Sequence, residues 1–138
     1  MNNKRIAAID YGLKRIGIAV SDPSGKMAFP WLTVEGGRKA INNVAKAFET
    51  KPGEICRVIV GLPLLMNGKD GDMAIASRKF AVELEAALSI EVVLWDERLS
   101  SAQADKNLRE LSLNRKKRAS KIDTAAATLL LQSYLDSL

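Results

Sequence analysis

Apolar residues fall into two rhythms along this chain. One is short and nearly continuous: Ile6-Ala7-Ala8-Ile9 stops at Asp10, Ile16-Gly17-Ile18-Ala19-Val20 stops at Ser21, and Val58-Ile59-Val60 and Val92-Val93-Leu94-Trp95 are similar. Such runs read as strands, and the unbroken Val58-Ile59-Val60 suits the centre of a sheet covered on both faces. The other rhythm is helical, as in Ile41, Val44, Ala45 and Phe48, or Met73, Ala76, Phe80, Leu84, Ala87 and Leu88.

Together these patterns predict strands over Arg5–Asp10, Arg15–Val20, Met27–Val34, Val58–Val60 and Glu91–Trp95. Pro30 assigns the third strand to an edge. Helices are predicted from about Arg38 to Glu49, from an Asp72 cap to Leu88, and from Ser100 to about Leu111. A terminal helix is predicted to start at the S-x-x-D capping box Ser120–Asp123, after a basic loop, Asn114–Ser120. A meander followed by right-handed crossovers then gives an α/β fold of the ribonuclease H-like layout: a five-stranded mixed sheet, order 3-2-1-4-5, helices on both faces. With 138 residues, no repeat and no linker, residues 1–138 are expected to form one domain.

Composition narrows the chemistry. There is no histidine, which rules out Ser-His-Asp and Cys-His machinery and His-ligated zinc. The single cysteine, Cys56, cannot form an intramolecular disulfide and is expected to be a mostly buried, inert side chain. The net charge of +5 favours a polyanionic partner. The longest uncharged runs, Val58–Gly68 and Thr124–Leu135, are far shorter than the roughly 20 residues of a membrane span, and the apolar start stops at Asp10. A soluble, cytoplasmic protein with no membrane partner is expected.

Carboxylates, hydroxyls and cations remain, an inventory suited to hard-metal or phosphate chemistry. Asp10 ends the first strand, Asp96 and Glu97 end the fifth, and Asp123 stands at the last helix. Convergent carboxylates of this kind can hold the hard cations that phosphodiester hydrolysis uses. Each also has a structural alternative: Asp10 as a turn residue, Glu97 as the partner of Arg98 on a solvated edge, Asp123 as a capping carboxylate. Gly61–Gly68 is glycine-bounded but lacks the Gly-Lys-Ser/Thr of a phosphate loop, and its Leu64, Leu65 and Met66 read as core, an interface or a substrate contact, core being the commonest. Arg115, Lys116, Lys117, Arg118 and Lys121 form a run without an acid, either a solvated face or a phosphate grip.

The segments Ile9-Asp10-Tyr11-Gly12, Lys14–Asp22, Gly61-Leu62-Pro63-Leu64 with Asn67-Gly68, Asp96–Ser100, and Asp123 with Ala125-Ala126 resemble, in order, the motifs of the YqgF family. The resemblance runs from about Lys4 to Leu135. It implies a ribonuclease H-like nuclease, described either as a pre-16S ribosomal RNA maturation enzyme or as a Holliday junction resolvase. It further implies a catalytic and metal-binding triad of Asp10, Glu97 and Asp123 using Mg²⁺ or Mn²⁺. In many enzymes of the wider superfamily the second carboxylate ends the fourth strand; here that strand ends in Gly61-Leu62-Pro63, so Glu97 must reach from one strand further away. Lys14, Arg15, Arg98 and the basic run would hold nucleic acid, structured RNA ahead of junction DNA, with ribosomal precursor particles as possible partners. A monomer or a homodimer is compatible, and a resolvase would need two sites in a dimer. The rival classes are a nucleotide-binding module built on Asp10-Tyr11-Gly12 and an RNA-binding protein without turnover.

Overall fold

The structure, a computed structural model, describes residues 4–51, 54–99 and 115–138, the last segment with side chains from Thr124 onward. Five strands, β1 (Arg5–Tyr11), β2 (Arg15–Ser21), β3 (Ala28–Glu35), β4 (Ile55–Leu62) and β5 (Glu91–Asp96), make one sheet in the order β3-β2-β1-β4-β5. The β1–β2 and β2–β3 pairs are antiparallel, and β4 is parallel to both β1 and β5. This is the ribonuclease H-like arrangement expected from the sequence. Pro30 lies on the edge strand, beside a register shift, where its missing N–H costs no ladder bond.

Strand alternation splits the core into two layers. Ala7, Ile9, Ile16, Ile18, Val58 and Val60 point to one face, under α1 (Ala40–Glu49) and α2 (Asp72–Leu88). Ala8, Ala19 and Ile59 point to the other, under Ala127, Leu130, Leu131, Tyr134 and Leu135 of α3 (Arg115–Asp136). Small residues on this second face let α3 lie close to the sheet. Arg57 Nη1 donates to the Tyr134 hydroxyl at 2.8 Å, and the Gln132 side chain bonds the backbone at both Lys26 and Ala28, so the helix is tied at β4 and at β3.

Several local expectations are corrected. Gly71 caps α2 and Asp72 is its first residue, where a carboxylate still complements the helix dipole. The terminal helix begins at Arg115, so residues 115–120 are helical rather than a loop, and Ser120–Asp123 lies inside the helix rather than capping it. Arg, Lys and Ala are strong helix formers, and no Gly or Pro interrupts the run. Cys56 is exposed rather than buried. Arg5 pairs Ile55 and Ile6 pairs Arg57, so Cys56 is the extra residue of a bulge, which re-aims a side chain out of the alternation. The helix expected over Ser100–Leu111 falls outside the described residues. No helix among the described residues is long and apolar enough to cross a membrane.

Candidate active site

Asp10 sits near the carboxyl end of β1, only 6% exposed. Two residues after Ala8, it faces the α3 side of the sheet. Its antiparallel neighbour is Gly17 of β2. On the other side, β1 and β4 pair through Ile9 and Val60, which leaves Gly61 as the next residue of β4. Glycines therefore stand on both strands beside it. On the opposite face Tyr11 stacks on Phe80 at 4.4 Å, which fixes this end of the strand against α2.

Glu97 opens a 3₁₀ turn directly after β5 and is also 6% exposed. Its carboxylate does not lie on a solvated edge. It extends over the backbone of β4: a Cβ placed on Gly61 would lie 2.5 Å from Glu97 Oε1 and 3.0 Å from Leu130 Cδ2. Ile59 and Leu130 both belong to the α3-side core, so Glu97 shares the face of Asp10. The extra strand of distance is thus bridged by a side chain crossing a residue that has none.

Asp96 goes the other way. It continues the alternation of Val92 and Leu94, which pack toward α2. It is clamped by Arg98: Nη2 donates to Oδ2 at 2.8 Å, Nε to both oxygens at 3.1 Å, and the Arg98 backbone N–H to Oδ1 at 2.9 Å. The guanidinium holds the Asp96 carboxyl below the usual carboxylate value. The partner of Arg98 is therefore Asp96, not Glu97, a pairing the sequence reading missed.

Asp123 lies within α3, its side chain outside the described residues. Position 123 stands four and seven residues before Ala127 and Leu130, the spacing of one helical stripe. Leu130 is near Gly61 and Tyr134 reaches back to Arg57, so α3 runs antiparallel to β4. Position 123 is then about 10 Å along the helix axis from Leu130, toward the carboxyl ends of β1 and β4. Among the described residues no three His, Cys, Asp or Glu side chains gather closely enough to hold a metal ion. Asp10 and Glu97 supply two buried carboxylates on one face, a donor set that suits a hard cation.

Lys14 and Arg15 are exposed at the β1–β2 turn. That turn is braced from behind: the Gly36 N–H donates to Lys14 O at 2.8 Å, and a Cβ on Gly36 would meet the carbonyl oxygens of Gly12 and Leu13 at 2.8 Å. Arg98 is exposed beside Gly68 of the loop after β4. Arg115, Lys116, Lys117, Arg118 and Lys121 occupy the first turns of α3, their side chains outside the described residues. In the loop after β4, Leu65 is 49% and Met66 96% exposed, so neither is core. Gly68 takes a positive φ of 82° there and the Gly68 N–H donates to Leu65 O, which turns the loop outward.

The chain has relatives among known proteins in both sequence and fold. The chain is 42% identical, over 99% of both chains, to a protein of Protochlamydia amoebophila named "Putative pre-16S rRNA nuclease". It is 41% identical to one of the same name from Bacillus licheniformis, over 97% of this chain and 98% of that one. In fold it is similar to the fowlpox virus resolvase solved with Holliday junction DNA (TM-score 0.57, 13% identity, 96% and 97% covered). It is likewise similar to Thermus thermophilus RuvC solved with a Holliday junction substrate (TM-score 0.56, 15% identity, 97% and 94% covered). The family model described as "RuvX: Holliday junction resolvase" matches residues 4–137, and the chain belongs to that family.

Proposed function

We propose that this chain is a divalent-metal-dependent endonuclease that hydrolyses phosphodiester bonds in structured RNA, acting in maturation of the pre-16S ribosomal RNA. The observation that carries the reading is the pair of buried acids, Asp10 and Glu97, brought to one sheet face from strands separated by β4. Carboxylate oxygens are the ligands that hard divalent cations take, and two acids on one face are a donor set of that kind. The family and relatives about 40% identical over nearly the full chain support the reaction class, and the name of those relatives favours the pre-16S RNA as substrate.

In this reading residues 1–138 act as one nuclease domain, with Asp10 and Asp123 holding Mg²⁺ or Mn²⁺ and Glu97 holding metal or orienting the attacking water. When bound, the metal neutralises the scissile phosphate and lowers the pKa of water enough for attack at neutral pH. The protein's own part is positioning. β1 fixes Asp10 in a sheet, the 3₁₀ turn fixes Glu97 over Gly61, and burial shields both acids from bulk water, so that charge interactions there are strong. Lys14, Arg15 and the cations of α3 would grip backbone phosphates, which sets register without reading sequence. Arg98 would contribute less, because Asp96 already offsets its charge.

The test is cleavage of a labelled panel, comprising a pre-16S 5′ segment, single-stranded RNA, duplex DNA and a four-way DNA junction, with and without Mg²⁺ or Mn²⁺. Metal-dependent cutting of the structured RNA, nearly abolished in Asp10→Asn with folding intact, is the expected result. Symmetric cutting of the junction alone would move the substrate to DNA and the working unit to a dimer. Asp10→Asn with wild-type turnover at saturating Mg²⁺ would remove the carboxylate assignment.

A further inference from the structure

Gly61 is in the interior of the sheet, between β1 and β5, where a glycine weakens a strand and forgoes packing. It is not among the glycines with positive φ, which are Gly25, Gly37 and Gly68 among the described residues. Backbone conformation therefore does not call for it, and close approach by another group does. That group is Glu97: its Oε1 and Cδ lie 2.5 and 3.1 Å from where a Cβ would stand, well inside the 3.5–4.0 Å of a relaxed contact.

We propose that Gly61 is a positioning residue, and that the volume of its absent side chain is the seat of the Glu97 carboxylate. The site can then accept its second carboxylate from either strand. In an aspartate, bond lengths of about 1.5 and 1.2 Å put each carboxylate oxygen about 2.4 Å from its own Cβ. Glu97 Oε1 lies 2.5 Å from the Cβ position of residue 61. An aspartate there reaches the place now held by Glu97 Oε1, provided Glu97 has vacated it. The inference rests on Glu97 belonging to the carboxylate site proposed above.

The experiment uses the full chain and two readouts, Mn²⁺ binding by calorimetry and single-turnover cleavage, on Gly61→Ala, Glu97→Gln, Glu97→Gly and the swap Gly61→Asp/Glu97→Gly. Gly61→Ala displaces Glu97 without removing its charge, and should weaken Mn²⁺ binding by at least about tenfold. Glu97→Gly should do the same. The swap should bind Mn²⁺ within a few-fold of wild type and regain part of the turnover. If Gly61→Ala binds and cuts like wild type, or the swap is no better than Glu97→Gly, the positioning role is refuted. Wild-type binding and cleavage by Glu97→Gln would instead show that the carboxylate reading itself has failed. Should Gly61→Ala unfold, Gly61→Ala/Glu97→Gly empties the seat before the methyl enters it. Recovery of the wild-type melting temperature supports the proposal, and no recovery means the glycine serves packing against Leu130 and overturns it.

Discussion

Asp96 and Glu97 are neighbours in sequence, yet neutralising them should have different consequences. Asp96→Asn breaks a forked pair with Arg98 at 2.8 Å whose side chains are 21% and 42% exposed. Pairs this open are worth about 0.2–1 kcal/mol, and the two-pronged geometry argues for the upper end. The Arg98 guanidinium depresses the carboxyl, so the stabilisation is present above the ordinary carboxylate value of 3.8 and is lost as pH falls through the folded value. The variant should thus be less stable than wild type at pH 7 by about 1 kcal/mol or less, with the difference closing in strong acid. Its turnover should stay within about twofold of wild type, because Asp96 faces α2. Glu97→Gln should act on the rate instead: losing about 3 kcal/mol of transition-state stabilisation slows cleavage about a hundredfold. Urea unfolding at pH 7 and pH 3 without metal, paired with single-turnover rates at saturating Mg²⁺, reads both effects. An inactive Asp96→Asn beside an active Glu97→Gln would refute the assignment of faces.

Leu130→Ala opens a cavity under fully buried α3 packing and should cost about 2–5 kcal/mol in urea titration. At the β2–β3 turn, Asp22 accepts backbone N–H bonds from Met27 and Lys26 and a bond from the Ser24 hydroxyl, and its carboxyl is lowered to about 2. That stabilisation holds above pH 3.8 and disappears as pH falls through about 2, so acid unfolding of Asp22→Asn should be less steep than wild type over that interval. Replacing Arg115, Lys116, Lys117, Arg118 and Lys121 with Gln takes the net charge from +5 to 0. The slope of log affinity against log salt on single-stranded RNA should then shrink by about two units, against roughly 3.5 if all five touch phosphate. An unchanged slope would make the run a solvated face and leave the grip to Lys14 and Arg15.

Strand order and the faces of the sheet were legible because they depend on features local to each run. Val58-Ile59-Val60 has no polar member and Pro30 cannot serve a central strand, so the centre and the edge declare themselves. Asp10 was legible for the same reason, as an acid at the end of an apolar strand. Features set by two segments at once were not. The Ser120–Asp123 capping box competes with strong helix formers before it, and the longer helix prevails. Cys56 is exposed only because β1 and β4 slip by one residue. Leu65 and Met66 carry no local sign that their loop turns outward. Gly61 acquires its meaning from Glu97, 36 positions later in the chain, which no spacing rule connects.

The cover of the Asp10 face comes from the last of these elements to be synthesised. Gln132 closes onto Lys26 and Ala28 across separations of 106 and 104 residues. At about 5–20 residues per second, the ribosome adds residue 123 on the order of ten seconds after Asp10. Over that time β1–β5 can pair and α1 and α2 can cover one side, but Ala8, Ala19 and Ile59 have nothing to pack against. A nascent chain in that state has a complete sheet with one face uncovered. Under the function proposed above, with Asp123 as a ligand, such a chain would not cleave until helix α3 docks, and the order of synthesis would delay activity without any inhibitor.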